Sequence, residues 1–251
     1  MKMRLNLGRL FTLSAMLLAQ GAHSAGTILL WPIDPWLAAD SQATELWIQN
    51  QGDSAMTMQV RIVRWRQDGG FERYQQQQDV VARPPIVRIE KGNKQLIRLI
   101  KQTTVPAGVE QAYRIIVDEI PQSESASTPQ MGLNVQMRYS LPLFVYGQGV
   151  ATSPEGEHHA RVNVQQLNWR VVQEQGKPQL EVRNQSDVHV RLSKVSLQQD
   201  GARYTVAEGL LGYVLPGSFR RWPLPAGVSH PAELTSAVNT TGGQWQSGPA
   251  N

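Results

Sequence analysis

The sequence predicts an all-β chain built as two sandwich domains. Three observations point there. Short stretches of alternating polar and apolar residues recur at roughly ten-residue spacing. Clusters of Gly, Asp, Asn, Gln and Ser stand between them, where turns need permissive backbone or local side-chain hydrogen bonds. The first half carries no stretch with the apolar period of an amphipathic helix.

The first element in order lies outside that fold. Lys2, Arg4 and Arg9 make a basic start, Leu10 to Ala19 ("LFTLSAMLLA") is a short apolar core, and Ala22 and Ser24 are small residues before Ala25. That is the pattern of an export signal over residues 1–24, and the apolar run is too short to span a bilayer. Its removal leaves 21 basic against 20 acidic residues, a net +1 in place of +4. So small an excess gives no reason to expect nucleic-acid binding. The chain has no cysteine, so an exported form is held by its cores alone. About 225 remaining residues suit one large or two ordinary domains.

Residues 25–144 hold the first domain. Its expected strands are "GTILLWPI" (26–33), "ATELWIQN" (43–50), "MTMQVRIVRWRQ" (56–67), "PIVRIE" (85–90), "KQLIRLIKQ" (94–102), "QAYRIIVDEI" (111–120) and "MGLNVQMRYSLPLF" (131–144). Seven is the number an immunoglobulin-like sandwich needs. "QGDS", "QDGG" and "EKGN" supply turns between them.

Residues 145–160, "VYGQGVATSPEGEHHA", are rich in Gly, Pro and polar residues and are expected to be the linker. A second, smaller β-domain follows over 161–245, with strands at 163–175, 179–185, 188–199, 202–209 and 218–224. "LWIQNQGD" (46–53) and "LEVRNQSD" (180–187) echo each other, each a strand running into an Asn/Asp turn. The final "TGGQWQSGPAN" is expected to fray, apart from Trp245.

Nothing in the chain points to catalysis. There is no cysteine and no Gly-x-Ser-x-Gly elbow, and Asp118 and Glu119 fall on opposite faces of a strand. The histidines are scattered, and the adjacent His158 and His159 lie on the expected linker with only Glu155 and Glu157 near. That makes a poor metal site. "GQG" at 147–149 lacks the strand–turn–helix setting that cradles phosphates. The expectation is a chain with no catalytic residue, metal, cofactor or small-molecule substrate. The seven tryptophans are core residues or a sugar platform, and Trp in a sandwich is more often core.

"ARPPIVRIEKGNKQLIRLI" (82–100) and "EQAYRIIVDEIP" (110–121) give the sequence a family likeness. It resembles the periplasmic pilus chaperones of the chaperone–usher pathway. Pro84, Pro85, Gly92, Arg98, Glu119, Ile120 and Pro121 match that family's motifs, and "VNTTGG" (238–243) is similar to its closing motif. "ILLWPIDPWL" and "MRYSLPLFVYG" resemble the archaic branch.

The resemblance implies two immunoglobulin-like domains in a boomerang, located in the periplasm. It also implies capture of pilus subunits that lack one strand, followed by delivery to an outer-membrane usher. The chaperone lends its own strand, filling the subunit's groove with alternate apolar residues. Met131, Leu133, Val135 and Met137 have that rhythm, with Gly132, Asn134 and Gln136 on the other face. The pattern alone fits equally well a strand facing its own core. The polar lead-in "PQSESASTPQ" (121–130) and the resemblance favour donation.

A donor strand also needs an anchor that fixes register. Where the better-known branch has a first-strand basic residue that grips the subunit's terminal carboxylate, this chain has Asp34. Arg138 falls where that branch has its seventh-strand lysine. If Asp118 stands opposite Asn134, then Arg114 stands opposite Arg138, and two opposed arginines call for an anion between them. Arg98 is expected to serve the domain's own ion pairing, with the carboxylate anchor as its second reading. Of the family's acid–arginine–acid link between domains, Glu110 keeps the first place, while Pro142 and Thr240 occupy the other two. Other contacts must therefore set the angle. A bare edge strand also implies some self-association of the free protein. The competing expectation is a secreted structural or adhesive sandwich, pilin-like or sugar-binding.

Overall fold

A computed structural model describes residues 28–121, 136–150, 160–239 and 243–249. The expected signal at 1–24 lies outside the described residues, as do Met131, Leu133 and Val135, His158 and His159.

Strict alternation builds the first domain. In β3 (Ala43–Asn50) Leu46, Ile48 and Asn50 point inward while Glu45, Trp47 and Gln49 point out. The same period runs through β4 (Met56–Asp68), β8 (Lys94–Lys101) and β9 (Glu110–Ile120). β1 (Ile28–Trp31), β3, β8 and β6 (Val80–Arg83) form one sheet in the order β1-β3-β8-β6. The other runs β2-β10-β9-β4-β5, with β2 at Trp36–Leu37, β5 at Phe71–Gln75 and β10 at Arg138–Tyr146; β7 (Ile86–Ile89) also pairs with β4. Leu46, Ile48, Met58, Ile97, Leu99, Ile115 and Val117 fill the space between the sheets.

Most expected strands are present with ends moved by a residue or two, but β2, β5 and β6 are additions. β2 has two residues, β5 reads "FERYQ" and stays largely exposed, and β6 has four residues before Pro84. None is long enough or apolar enough to display a period. The expected strand at 131–144 begins, among the described residues, only at Arg138, and it runs through Tyr146 into the expected linker. Val145 and Tyr146 are buried there.

The second domain packs β11 (Leu167–Glu174), β12 (Lys177–Asn184) and β15 (Phe219–Pro223) against a sheet in the order β14-β13-β16-β17. Those strands are β13 (Val190–Gln199), β14 (Ala202–Val214), β16 (Glu233–Val238) and β17 (Gly243–Ser247). Trp169, Leu180, Val182, Val190, Leu197 and Leu234 form its core. The expectation of a frayed end is corrected by β17, which pairs with β16 and buries Trp245. β16 escaped the sequence because one inward position is Ser236, whose hydroxyl donates to the Ser193 carbonyl at 3.2 Å.

The two echoed segments fold alike. Asn50 is fully buried; its amide donates to the Ser54 and Ile89 carbonyls (2.8 and 3.0 Å), and its Oδ1 accepts from Gly52 N–H (2.8 Å). Asn184, equally buried, donates to the Val188 and Val214 carbonyls (2.7 and 3.0 Å) and accepts from Ser186 N–H (2.9 Å). Each Asn thus closes its own turn and pins it to another strand.

Candidate functional site

β10 is the edge on which the expected site depends. Its inner neighbour β9 pairs along all of Arg138–Tyr146. Its outer neighbour β2 runs parallel and meets it only at Phe144 and Val145. Among the described residues, positions 138–143 therefore have a strand on one side only. Pro142, which has no N–H to give to a ladder, suits such an edge. Tyr139, Leu141, Leu143 and Val145 turn toward the first-domain core. Met137 shares their parity and is 40% exposed at the point where the strand leaves the sheet.

The expected register is corrected. Arg138 stands opposite Asp118, and Arg114 stands opposite Pro142. The two arginines are four positions apart along the edge, about 13 Å at the rise of a strand, so they do not oppose each other. The expected pairing was offset by four residues. An even slip keeps every side chain on its own face, so the alternation could not reveal it.

Arg138 lies on the solvent face, its Nε donating to Asp118 Oδ1 at 2.5 Å, while Arg61 Nη2 on β4 donates to Asp118 Oδ2 at 2.6 Å. One carboxylate thus ties three neighbouring strands where β10 begins. Burial pushes the Asp118 carboxyl up, but hydrogen bonds and charge from Arg138 and Arg61 outweigh it and hold the group below the usual carboxylate range.

Arg114 sits in a different setting. Its guanidinium lies over the Trp65 ring at 3.8 Å and near the Tyr213 ring, from the second domain, at 5.4 Å. Tyr74, whose hydroxyl donates to Glu72 Oε2 at 3.5 Å, is a close neighbour. Its Nε is buried and has no hydrogen-bond partner among the described residues. The nearby carboxylate, Glu72, is already shared by Trp65 Nε1 and Arg220 Nη1. Burial pulls the Arg114 pKa below its ordinary value, against the opposing pull of its neighbours Tyr74 and Glu72. A desolvated guanidinium with an orphaned donor is a ready partner for a carboxylate. Arg98 departs from expectation: it is exposed on β8, opposite Glu45 and Arg83, and makes no ion pair with a described residue.

The contacts that join the domains escaped the sequence reading. Glu110 on β9 accepts from the backbone N–H of His189 at 2.9 Å and from its Nδ1 at 2.7 Å. Both side chains are almost fully buried, and the imidazole stacks on Phe144 at 3.4 Å between centroids. Gln67 donates to the Tyr213 carbonyl and accepts from Leu215 N–H, both at 2.9 Å, while Glu72 pairs with Arg220. Trp65, Ala112, Phe144, Tyr146, Val188 and Leu215 form an apolar seam around these bonds. Glu110 was expected to keep its place in an interdomain link, and "DVHV" placed a histidine between two valines at a strand start. That was the available signal for its partner.

The tryptophans divide. Trp65, Trp169 and Trp245 are core residues. Trp31 and Trp47 stand on the solvent face of the β1-β3-β8-β6 sheet, stacked at 6.0 Å and 8°. The Lys94 ammonium lies over the Trp47 ring at 4.9 Å, so that ring is engaged by both Trp31 and Lys94 from within the chain. Among the described residues no group of His, Asp or Glu could hold a metal ion, and no helix is long and apolar enough to cross a membrane.

Two family models match the chain. Residues 36–151 match the pili and flagellar-assembly chaperone, PapD N-terminal domain, and residues 163–247 match the pili assembly chaperone PapD, C-terminal domain. The chain resembles a solved structure of the CsuC–CsuE chaperone–tip adhesion subunit pre-assembly complex from archaic chaperone–usher Csu pili of Acinetobacter baumannii. Identity is 30%, coverage is 88% of this chain and 96% of that one, and the TM-score is 0.69. The Escherichia coli chaperone DraB has the same fold at 21% identity, a TM-score of 0.58, and coverage of 90% and 98%. An uncharacterized fimbrial chaperone, YhcA of Escherichia coli strain K12, is 29% identical over 109 residues, 43% of this chain. The chain spans 42% of the length of that curated relative. With both halves matched and both sandwiches in place, the chain belongs to the family of periplasmic pilus-assembly chaperones, and its likeness is to the archaic branch.

Proposed function

We propose that this protein captures pilus subunits in the periplasm by lending them the strand that leads into β10, and passes them to an outer-membrane usher. The carrying observation is the one-sided pairing of β10 at 138–143, an edge whose backbone groups are open to another chain's strand. Met131, Leu133, Val135 and Met137 have the parity of the core-facing Tyr139, Leu141 and Leu143, so a subunit groove joined to this edge would receive them as an extension of the chaperone's own core. Two relatives support the reading: CsuC has been solved with the CsuE tip subunit, and Salmonella enterica SafB with the SafA pilin. Binding requires no cofactor, because apolar burial and sheet completion supply the free energy, at about 25 cal/mol per Å² of apolar area. Residues 1–24 direct export.

Arg114 is the anchor for the subunit's terminal carboxylate in this reading. Its orphaned Nε and lack of an ion pair among the described residues favour it over Arg138, which Asp118 already engages. Arg138 instead holds the root of the donated segment. Co-expression of the mature chain with pilus subunits, followed by purification on a tag carried by the chaperone, tests both parts. Leu133→Asp with Val135→Asp should abolish co-purification, and Arg114→Glu should reduce it at least about tenfold, the effect of losing one buried charged hydrogen bond. Complexes that survive the double substitution overturn strand donation. Indifference to Arg114→Glu overturns the anchor alone.

A further inference from the structure

Four described non-glycine residues have left-handed backbone, and three of them, Gln175, Asp200 and Asn239, sit in turns. The fourth, Lys194 at φ 50°, lies inside β13, between its two partner strands. There the pairing with β14 shifts register three times between Leu192 and Ser196, and the pairing with β16 shifts between Ser193 and Ser196. Bulges of this kind re-aim a side chain, and a strained residue persists only where its surroundings hold it. The result here is an exposed Lys194 followed by buried Val195, Ser196 and Leu197.

Lys194 borders a depression on the solvent face of this sheet, shared with Ser196, Arg203, Glu208, Thr235 and Gln244. Ser196 stands opposite Thr205 on β14 and Thr235 on β16, which makes a row of three hydroxyls across the strands. The Ser196 and Thr235 oxygens are 2.7 Å apart. Arg203 donates from Nε to Ser196 at 3.1 Å and from Nη2 to Thr235 at 3.2 Å. Neither Lys194 nor Arg203 has an ion pair with a described residue.

We propose that this face binds a phosphate group, with Lys194 and Arg203 meeting its charge and the hydroxyl row its oxygens. Glu208 on the rim decides between oxyanions. A carboxylate only accepts hydrogen bonds, so it repels sulfate, whereas a phosphate oxygen that still carries a proton donates to it. The source is either free inorganic phosphate or the headgroup of an envelope lipid, and the chemistry at the site is common to both.

Backbone NMR of the mature chain at pH 6.5, titrated with sodium phosphate and with sodium sulfate at matched ionic strength, tests the site. Saturable shifts at Lys194, Ser196 and Thr235 are expected with phosphate, with sulfate at least about tenfold weaker. Lys194→Gly keeps the left-handed backbone while removing the ammonium, so it should fold normally and weaken binding about tenfold, as should Arg203→Gln. No saturable shift, an equal response to both ions, or undiminished binding in both variants overturns the proposal. Sedimentation with phosphatidylcholine vesicles, with and without phosphatidic acid, assigns the source. Lys194-dependent co-sedimentation with the phosphatidic acid vesicles places the phosphate on a lipid, and binding of the ion without co-sedimentation makes it free phosphate.

Discussion

At the scale of single residues, Asn50 and Asn184 do comparable work in the two domains. Each amide donates to two carbonyls, one within its own turn and one on a distant strand. Asn50→Ala or Asn184→Ala removes both bonds from a buried position, and each should lower stability by about 2–4 kcal/mol, read from the denaturant midpoint. Asn168→Ala, which removes one exposed 3.4 Å contact, should change it by no more than about 0.5 kcal/mol. Equal effects in the three variants would contradict this role of the two buried asparagines. These asparagines were legible in the sequence as a repeated Asn-Gln before an Asp. Their second bond, to a carbonyl far along the chain, was not, because no local pattern names the strand that a turn leans against.

At the scale of elements, strands were far easier to read than their register. Alternation in "ATELWIQN" gave β3 with both its ends, since each inward side chain is large and apolar or pinned by hydrogen bonds. A hairpin's register follows from its turn, but β9 and β10 are joined across the long polar segment after Ile120, where no turn type applies. Asp118 is what marks the true register, held between Arg61 and Arg138. Its folded pKa lies below the unfolded value, so the stability it contributes is present above about pH 4 and is lost as pH falls through the folded pKa. Asp118→Asn should therefore destabilise the protein at pH 6, with the gap to wild type closing as pH drops below about 4. Denaturant midpoints between pH 6 and pH 2 measure this, and a gap independent of pH would show that the carboxylate's charge is not what holds the strands.

At the scale of the whole molecule, the candidate anchor is completed by the second domain, because Tyr213 of β14 stands beside Arg114. The angle between domains is thus part of the site. The sequence indicated a missing link at Pro142 and gave no replacement, since Glu110 and His189 are 79 positions apart and meet only in the folded chain. The hairpin of β4 and β5 adds a second joint: Gly70, at φ 86°, lets the backbone approach Phe219, where a Cβ would come within 2.9 Å of the ring. His189→Ala removes the ring that faces the buried Glu110 carboxylate and stacks on Phe144, leaving only the backbone N–H to satisfy that charge. Breaking one side of a buried pair is strongly destabilising, by about 3–5 kcal/mol, and here the strain falls on the seam between domains more than on either core. The variant should keep both sandwiches folded and change the relative domain orientation seen by residual dipolar couplings. It should also lose subunit capture with the donor residues intact. Unchanged couplings with normal capture would mean that Gln67, Glu72 and Gly70 suffice to hold the angle. Capture lost with couplings unchanged would make His189 a direct contact of the subunit.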